Sequence, residues 1–400
     1  MNEKKPPITL IEYDPVYLPG EALSEEAGKI LWPEYKEQID LEIPSFKTNG
    51  RWKLKSNGWV GHIPLTSEQE IILLPKVPIE NIFGMLEYAY ELKKFKFIDG
   101  KTNYNSVEDF YERLAIKLAK SVLDRGRKGF YREYRPHIEQ LAYVRGSINL
   151  RRMVSKPWDI RPECYYKEHT PNIEDNQILA WTIYRILHNG LCKDRSLPQL
   201  HRAYQALQGL ASNKPFSPEN CINRIYNRLN QDYEPLHNIC RFFLENCGPA
   251  HNIGGHTMRP FLVDMASLYE LFVAEWLKEN ETIFPEGYRI RAHERVSLGR
   301  NKKVHLDIDL VLYRDGKACC VLDTKYKSPD KIKNPDIFQI SYYARSMDCH
   351  DAVLIYPKIQ SEPFDEPLKD IRVRFLSFSL DKDLDSAGKK FIEQLFEMQE

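Results

Sequence analysis

Apolar residues follow a strand-like pattern near the N-terminus of the chain and a helix-like pattern in its middle. The N-terminal runs are short and bounded by turn-forming residues, which is typical of β-strands. These runs are residues 8–13, 58–63 and 71–75. From residue 105 the apolar positions recur at helical spacing, most clearly at residues 175–187. We therefore predict a β-rich N-terminal module over residues 1–104 and a mainly helical middle region over residues 105–250.

The last part of the chain, residues 251–400, alternates between the two patterns. Residues 265–277 predict an amphipathic helix, and residues 307–325 predict a β-hairpin. A second helix is predicted to begin at Pro335, because proline suits the first helical turn, and residues 352–356 predict a buried strand. This alternation indicates a C-terminal α/β domain, so we expect the whole chain to be an α+β multidomain protein.

Acidic residues and a lysine are spaced along the hairpin so that they share faces. Asp307 and Asp309 are two residues apart, as are Asp323 and Lys325, and residues i and i+2 of a strand point the same way. Carboxylates are hard oxygen ligands for Mg²⁺, and a metal with a nearby lysine can promote phosphodiester hydrolysis. The apolar run 319–322 predicts a strand buried on both faces, where a charge is costly unless it is paired or bound to a metal.

The turn of the hairpin decides which upstream acid faces Asp323. A three-residue loop centred on Asp315 would place Asp307 opposite Asp323, and one centred on Gly316 would place Asp309 there. The Asp-Gly dipeptide is more typical of a two-residue turn. That turn would put both acids on the wrong face unless a β-bulge restored the register. The choice between Asp307 and Asp309 therefore stays open at this stage.

Three more polar residues lie on the helices predicted beside the hairpin. Glu270 lies between apolar neighbours, where it is either a surface residue or an inward acid that completes a metal site. Gln339 and Tyr343 are four residues apart, so they share one helical face.

The order of these elements resembles the PD-(D/E)xK nuclease superfamily, and Gln339-x-x-x-Tyr343 resembles its RecB-like branch. Several phrases narrow the likeness to the McrC family, the nuclease subunits of McrBC-type modification-dependent restriction systems. These phrases are residues 267–273, 309–312, 321–327, 336–339 and 354–357. Weaker matches extend the likeness over most of the chain.

The resemblance implies a restriction-endonuclease-like PD-(D/E)xK fold for the C-terminal domain. It also implies catalytic roles for Asp309, Asp323 and Lys325. The two aspartates would bind the metal, and we expect Glu270 to support the metal as a third ligand, directly or through water. The expected cofactor is Mg²⁺, for which Mn²⁺ can substitute. Lys325 would orient the attacking water.

Two further expectations follow for neighbouring residues. Gln339 and Tyr343 would brace the site or the bound strand. Thr324 stands where the family usually has alanine, and we expect it to point away from the site. Ile308 replaces the family's common proline before the first acid.

The resemblance implies two partners, double-stranded DNA and a McrB-like hexameric AAA+ GTPase whose activity the chain would stimulate. In that family the N-terminal region docks on the motor, and the motor reads modified cytosine. The sequence has no Walker A motif, since Gly28-Lys29 lacks the upstream glycine and the following Ser or Thr. The expected function is thus a Mg²⁺-dependent endonuclease subunit of a GTPase-driven 5-methylcytosine restriction system that acts in antiviral defence.

Charge and cysteine content restrict the mode of DNA binding and the cellular compartment that we expect. The chain has 57 Lys and Arg and 57 Asp and Glu residues, which excludes a polycation that coats DNA unaided. Basic residues around the hairpin are expected to contact DNA phosphates; they are Arg295, Arg300, Lys302, Lys303 and Lys327. The eight cysteines include no C-x-x-C pair, which is typical of a reduced, cytoplasmic protein. A signal core and runs of membrane length are both missing, so we expect no membrane partner.

Two other functions stay open. A stand-alone RecB-like DNA repair nuclease would use the same site but would need free DNA ends. A non-catalytic subunit would only activate its motor and would carry a decayed nuclease site. The intact acids and lysine argue against decay.

Overall fold

The computed structural model describes two compact units that each contain helices and strands. The described residues are 6–66, 69–92, 107–188, 192, 195–247, 251–253, 256–258, 260–298, 303–327, 334–358, 364–381 and 383–397. One unit consists of Met1–Phe110 and Gly248–Glu400, and the other of Tyr111–Cys247. The chain is therefore an α+β protein. Across the described ranges, every helix is too short or too polar to span a membrane.

In the first unit, the N-terminal residues build two small sheets around a shared apolar core. Their elements are β1 (Ile8–Ile11), β2 (Pro15–Leu18), α1 (Glu25–Glu34), β3 (Ile39–Glu42), β4 (Trp52–Ser56), β5 (Trp59–Pro64), β6 (Glu70–Leu74) and α2 (Ile79–Ala89). Strands β2, β4 and β3 form one antiparallel sheet. In the other, β1 is parallel and β5 antiparallel to β6. Leu54, Ile63 and Ile71 are buried in the core, as period-two strands require.

A strand from far along the chain completes the second of these sheets. After a hairpin of β10 (His251–Ile253) and β11 (His256–Met258), strand β12 (Phe261–Asp264) pairs antiparallel to β5. Gly61 of β5 has a φ of 141°, and a Cβ at that position would lie 2.1 Å from the carbonyl oxygen of Phe261. Only glycine permits this approach. The four strands β1, β6, β5 and β12 are called the N-terminal sheet below. Helix α8 (Met265–Glu279) follows β12 directly, so the helix that carries Glu270 begins at this sheet.

The remaining residues of this unit build a six-stranded mixed sheet. Its elements are β13 (Tyr288–Leu298), β14 (Val304–Arg314), β15 (Lys317–Thr324), α9 (Asn334–Ser346), β16 (Asp351–Tyr356), β17 (Asp365–Leu368), β18 (Ile371–Ser377) and α10 (Leu384–Phe396). The strand order is β13-β14-β15-β16-β18-β17. Strands β15, β16 and β18 run parallel, and the other neighbours pair antiparallel.

Helices cover this sheet at its centre. Helix α9 connects β15 to β16 and packs on the strands through Ile337, Ile340 and Ala344. Residues 320–322 of β15 are all fully buried, so both faces of this strand are covered. The predicted doubly buried strand is thus confirmed, and so are the helices predicted at residues 265–277 and from Pro335.

The second unit contains α3 (Val107–Lys128) from Tyr111 onwards and a small exposed sheet. Its other elements are β7 (Glu133–Gln140), β8 (Ser147–Ile148), α4 (Leu150–Ser155), β9 (Glu163–Thr170), α5 (Glu174–Leu187), α6 (Leu197–Leu207) and α7 (Tyr233–Asn246). The helix predicted at residues 175–187 is confirmed as α5. The antiparallel sheet β7-β9-β8 was not predicted. Few residues of its strands are buried, so no period-two apolar pattern marks them in the sequence.

One buried amide holds the base of this exposed sheet. Asn176 Nδ2 donates hydrogen bonds to the carbonyl oxygens of Tyr131 (2.9 Å) and Pro171 (2.7 Å), which flank β7 and β9. The Tyr233 hydroxyl donates to Asn176 Oδ1 at 2.7 Å and accepts from the Tyr131 N–H at 3.0 Å. A buried network satisfied in this way orients the two strands as they leave the helices.

The close approach between Gly61 and the Phe261 carbonyl predicts that a side chain at residue 61 destabilises the fold. Substitution Gly61→Ala would force a Cβ against the Phe261 carbonyl group and should cost roughly 2–5 kcal/mol, the sum of a positive-φ penalty and overpacking. Gly50→Ala is the matched control: its φ of 69° carries the first cost, but no atom lies within 4 Å of the added Cβ. Denaturant unfolding should therefore give a loss of about 1–2 kcal/mol for the control. Equal losses would contradict the close pairing of β5 with β12.

Candidate functional site

The hairpin of β14 and β15 combines a two-residue turn with a β-bulge. Asp315 and Gly316 have φ angles of 50° and 80°, as the two-residue turn favoured by Asp-Gly requires. The register shifts at the next pairs: Tyr313 lies opposite Ala318, but Leu312 lies opposite Cys320. Cys319 is thus the extra residue of the bulge.

This bulge decides which acid faces Asp323. Leu310 lies opposite Leu322, and the same register continued by one residue places Asp309 opposite Asp323. Directly opposed residues share a face. Of the open alternatives, the structure therefore selects the two-residue turn with a compensating bulge, and it brings Asp309 rather than Asp307 to the site.

Asp309 is held at the end of β15. Its Oδ2 atom accepts a hydrogen bond from the Thr324 N–H at 2.9 Å and another from the Thr324 hydroxyl at 3.1 Å. The expectation that Thr324 points away from the site is wrong, because its hydroxyl contacts the Asp309 carboxylate. Thr324 is the last residue of β15, and the Asp309 side chain reaches this strand end. Burial raises the pKa of Asp309, and the negative charge of Glu270 raises it further; the two hydrogen bonds act in the opposite direction.

Asp323 is a buried carboxylate with a lysine beside it. Its side chain is 2% exposed, and Lys325 Nζ lies 2.5 Å from its Oδ2 atom. Apart from this ammonium group, no described residue supplies Oδ2 with a hydrogen bond. Burial raises the pKa of Asp323 to about 7, and Asp309 adds to the rise, while Lys325 opposes it. The carboxylate is therefore close to its titration point at neutral pH.

Lys325 connects the acids to helix α9. Its backbone N–H donates to the Ile355 carbonyl at 2.8 Å, which fixes the chain where it leaves the sheet. Its ammonium group donates to Gln339 Oε1 at 3.5 Å, and Gln339 Nε2 donates to the Tyr343 hydroxyl at 2.9 Å. The predicted Gln-x-x-x-Tyr pair thus lies beside the predicted lysine. Burial lowers the pKa of Lys325, but Asp323 outweighs that effect and the pKa is raised, so the lysine is a cation at neutral pH.

Glu270 approaches the same site from α8, and a histidine that the sequence did not reveal contacts it. Glu270 Oε1 lies 3.4 Å from His293 Nδ1. The register of β13 with β14 places His293 opposite Asp309, since its neighbours pair in one uninterrupted register. His293 also has a φ of 53° within a strand. Its hydrogen bond with Glu270 raises the pKa of the imidazole.

A second residue missed by the sequence analysis is Asp336, in the first turn of α9. It accepts a hydrogen bond from Lys327 Nζ, and its charge contributes to the raised pKa of Asp323. Spacing along the chain gives no signal for either missed residue. Each becomes part of the site only through strand pairing or helix packing.

The donor set can be tested against the expected metal. Within the described part of the chain, no three His, Cys, Asp or Glu side chains are arranged so that they could hold a metal ion as they stand. Mg²⁺, however, commonly binds through one or two carboxylates and fills its other positions with water and phosphate. Burial raises the pKa of both aspartates; the charge of Glu270 raises that of Asp309 further, and the charge of Asp309 raises that of Asp323. A bound cation relieves this repulsion between the acids. The residues therefore fit a Mg²⁺ site, with Glu270 next to the pair.

The residues expected to contact DNA differ in their surroundings. Arg295 is exposed on β13 and lies 3.4 Å from Asp307. Lys303 is exposed before β14, whereas Lys327 pairs with Asp336. Arg300 and Lys302 lie outside the described residues.

Comparison with known proteins identifies similar chains. A family model described as "McrBC 5-methylcytosine restriction system component" matches residues 54–357. The "Type IV methyl-directed restriction enzyme EcoKMcrBC" of Escherichia coli (strain K12) is 20% identical over 319 residues, which are 72% of this chain and 88% of that protein.

Solved structures from Thermococcus gammatolerans are also similar. The chain matches one in a half-complex from a tetradecameric assembly of McrB AAA+ hexamers with bound McrC, with a TM-score of 0.56 and 17% identity, covering 98% of this chain and 100% of that one. A second match, in the cryo-EM structure of the McrBC complex, has a TM-score of 0.45 and 19% identity over 69% of this chain and 88% of that one. At this identity the first match shows a shared fold.

The raised pKa of Asp323 makes a prediction about stability. Folding raises this pKa from the ordinary 3.8 to about 7, so the folded chain holds the proton more tightly. Its stability should decrease as pH rises from about 4 to about 7. Without divalent ions, Asp323→Asn should flatten this slope and raise the melting temperature by several degrees at pH 8 but much less at pH 5. Asp307→Asn, at an exposed acid on the next strand, is the control and should melt like wild type. If the stability of Asp323→Asn depended on pH as steeply as that of wild type, the raised pKa of Asp323 would be refuted.

Proposed function

The chain belongs to the McrBC family of 5-methylcytosine restriction system components, and we propose that it is the DNA-cleaving subunit of such a system. Membership agrees with the resemblance to McrC in the sequence. The observation that carries the proposal is the meeting of Asp309, Asp323 and Lys325 at one end of a buried strand, with Glu270 beside them. Acids whose pKa values are raised by burial and by a neighbouring negative charge, with a lysine beside them, are the usual arrangement of a metal-dependent phosphodiesterase.

Each residue has a distinct task in this proposal. Asp309 and Asp323 would hold Mg²⁺, with Glu270 as a further ligand, directly or through water. Bound there, the metal would polarise the phosphate and lower the pKa of a water molecule. The Lys325 ammonium group would orient the attacking water or offset the charge that develops on the phosphate. Gln339 accepts a hydrogen bond from Lys325 and would keep its ammonium group in that position.

The two aspartates also limit the conditions for cleavage. Asp323 is partly protonated at neutral pH, and a protonated carboxyl group is a poor metal ligand. Binding of Mg²⁺ would therefore displace a proton from the pair. DNA cleavage at limiting Mg²⁺ should become faster as the pH rises through about 7.

The proposed partners are double-stranded DNA and a McrB-like AAA+ GTPase hexamer. One similar structure contains McrB AAA+ hexamers with bound McrC. This sequence has no Walker A motif, so a GTP-driven step would be carried out by a separate motor. We propose that the motor reads the modified cytosine and that this chain stimulates its GTPase activity and cuts the DNA, in the cytoplasm. The exposed Arg295 and Lys303 are proposed phosphate contacts.

Catalysis by this site is tested with Asp323→Ala and Lys325→Ala. With the partner GTPase, GTP and Mg²⁺, each variant should cut a methylated circular plasmid about 10²–10⁴ times more slowly than wild type. Stimulation of the partner GTPase should stay near the wild-type level, because the substitutions remove charges at the site and not the surrounding core. Chelation of divalent ions should stop cutting, and Mn²⁺ should restore it.

The control for this test is Asp307→Ala, at the exposed acid two residues before Asp309. It should cut like wild type, because the bulge brings Asp309 and not Asp307 to the site. Cutting by Asp323→Ala and Lys325→Ala at the wild-type rate would refute the catalytic assignment. Cutting of linear but not circular DNA would favour the stand-alone repair nuclease instead.

A further inference from the structure

A carboxyl group from the N-terminal sheet reaches the strand end that carries the lysine. Glu12 directly follows β1 and is fully buried. Its Oε2 atom accepts a hydrogen bond from the Tyr326 hydroxyl at 3.1 Å and from the Lys76 backbone N–H at 3.0 Å. Its Oε1 atom is buried, and no described residue forms a hydrogen bond with it. A buried acid with one unsatisfied oxygen is costly for folding.

Tyr326 is the residue next to Lys325, so this hydrogen bond lies one residue from the proposed active site. The Tyr326 side chain is buried, and its ring centroid lies 6.0 Å from that of Tyr269, the residue before Glu270 on α8. The Tyr13 hydroxyl donates to the Tyr326 carbonyl oxygen at 3.5 Å. Glu12 thus contacts the hydroxyl of Tyr326, and Tyr13, the next residue, contacts its backbone carbonyl.

An ordinary structural ion pair does not explain Glu12. The Lys76 ammonium group lies 2.8 Å from the exposed Asp14, and only the backbone of Lys76 donates to Glu12. Burial raises the pKa of Glu12 to about 7, against the lowering effect of its two hydrogen bonds. An apolar residue would fill the same space without this cost, but it could not accept a hydrogen bond from Tyr326.

We propose that Glu12 is a positioning residue of the nuclease centre: through Tyr326 it fixes the end of β15 and therefore the orientation of Lys325. This inference rests on the proposed function of Lys325 and extends it. In this proposal the N-terminal sheet helps to position the lysine that takes part in cleavage. The same sheet contains β12, which leads into the helix that bears Glu270. Lys325 and Glu270 are thus both connected to the same sheet, the first through Tyr326 and the second through β12.

The first test measures position without relying on DNA cleavage. Amide hydrogen exchange of residues 323–327 should become at least several-fold faster in Glu12→Ala, because the Lys325 N–H bonds to the Ile355 carbonyl at this strand end. Asp14→Ala is the matched control, since it removes an exposed acid two residues away that pairs with Lys76. It should leave exchange in this segment unchanged. Equal exchange in wild type and Glu12→Ala would overturn the proposal, whether or not the chain is a nuclease.

The second test measures cleavage with the complete two-protein system, well below the melting temperature of each variant. Glu12→Ala and Tyr326→Phe should each lower kcat about 10-fold or more and leave the KM for DNA unchanged, because a displaced lysine affects the reacting geometry and not DNA binding. The double variant should be no slower than either single variant, since both remove the same hydrogen bond.

Glu12→Gln keeps an acceptor for the Tyr326 hydroxyl and should recover most of the wild-type kcat. Additive losses in the double variant, or equal losses in Glu12→Gln and Glu12→Ala, would overturn the proposal. If wild type and Asp323→Ala cut equally, the nuclease assignment fails instead, and the exchange experiment still decides whether Glu12 positions the strand end.

Discussion

The burial of a carboxylate at the end of a strand covered on both faces is the constraint around which the site is organised. Asp323 is 2% exposed, and loss of water favours its neutral form. Lys325 supplies positive charge on one side, but Asp309 adds negative charge on the other. The lysine alone does not balance the two acids, and the pKa of Asp323 remains near 7. A second positive charge between the aspartates would complete the balance, which is why the cluster suits a divalent cation.

The surrounding structure keeps these charges together against their repulsion. Asp309 is held by two hydrogen bonds from Thr324, and Lys325 is held by the Ile355 carbonyl. The helix that carries Glu270 begins at a strand of the N-terminal sheet, and Glu12 from the same sheet bonds to Tyr326. Site residues therefore come from segments far apart in sequence that are joined by strand pairing and by side-chain hydrogen bonds. Such rigid mounting is what a catalytic constellation requires.

The sequence correctly predicted which side chains lie together where the residues are close along the chain. Asp323 and Lys325 are two residues apart, and Gln339 and Tyr343 are four apart, so a strand and a helix bring each pair together without any tertiary information. The role of Thr324 was predicted wrongly, because its hydroxyl bonds to a carboxylate on the neighbouring strand. His293 and Asp336 were missed for the same reason: strand pairing and helix packing bring them to the site.

The periodicity of apolar residues by itself determined the helices α5, α8 and α9 and the doubly buried strand β15, because these signals depend only on neighbours along the chain. The family likeness was likewise readable from short phrases of sequence. Tertiary structure alone decided that a bulge at Cys319 sets Asp309 opposite Asp323, that β12 joins the N-terminal sheet, and that an exposed sheet interrupts the helical middle region. A bulge, a distant strand pair and a sheet without a buried face leave no periodic trace, since each depends on contacts between residues that the sequence does not place side by side.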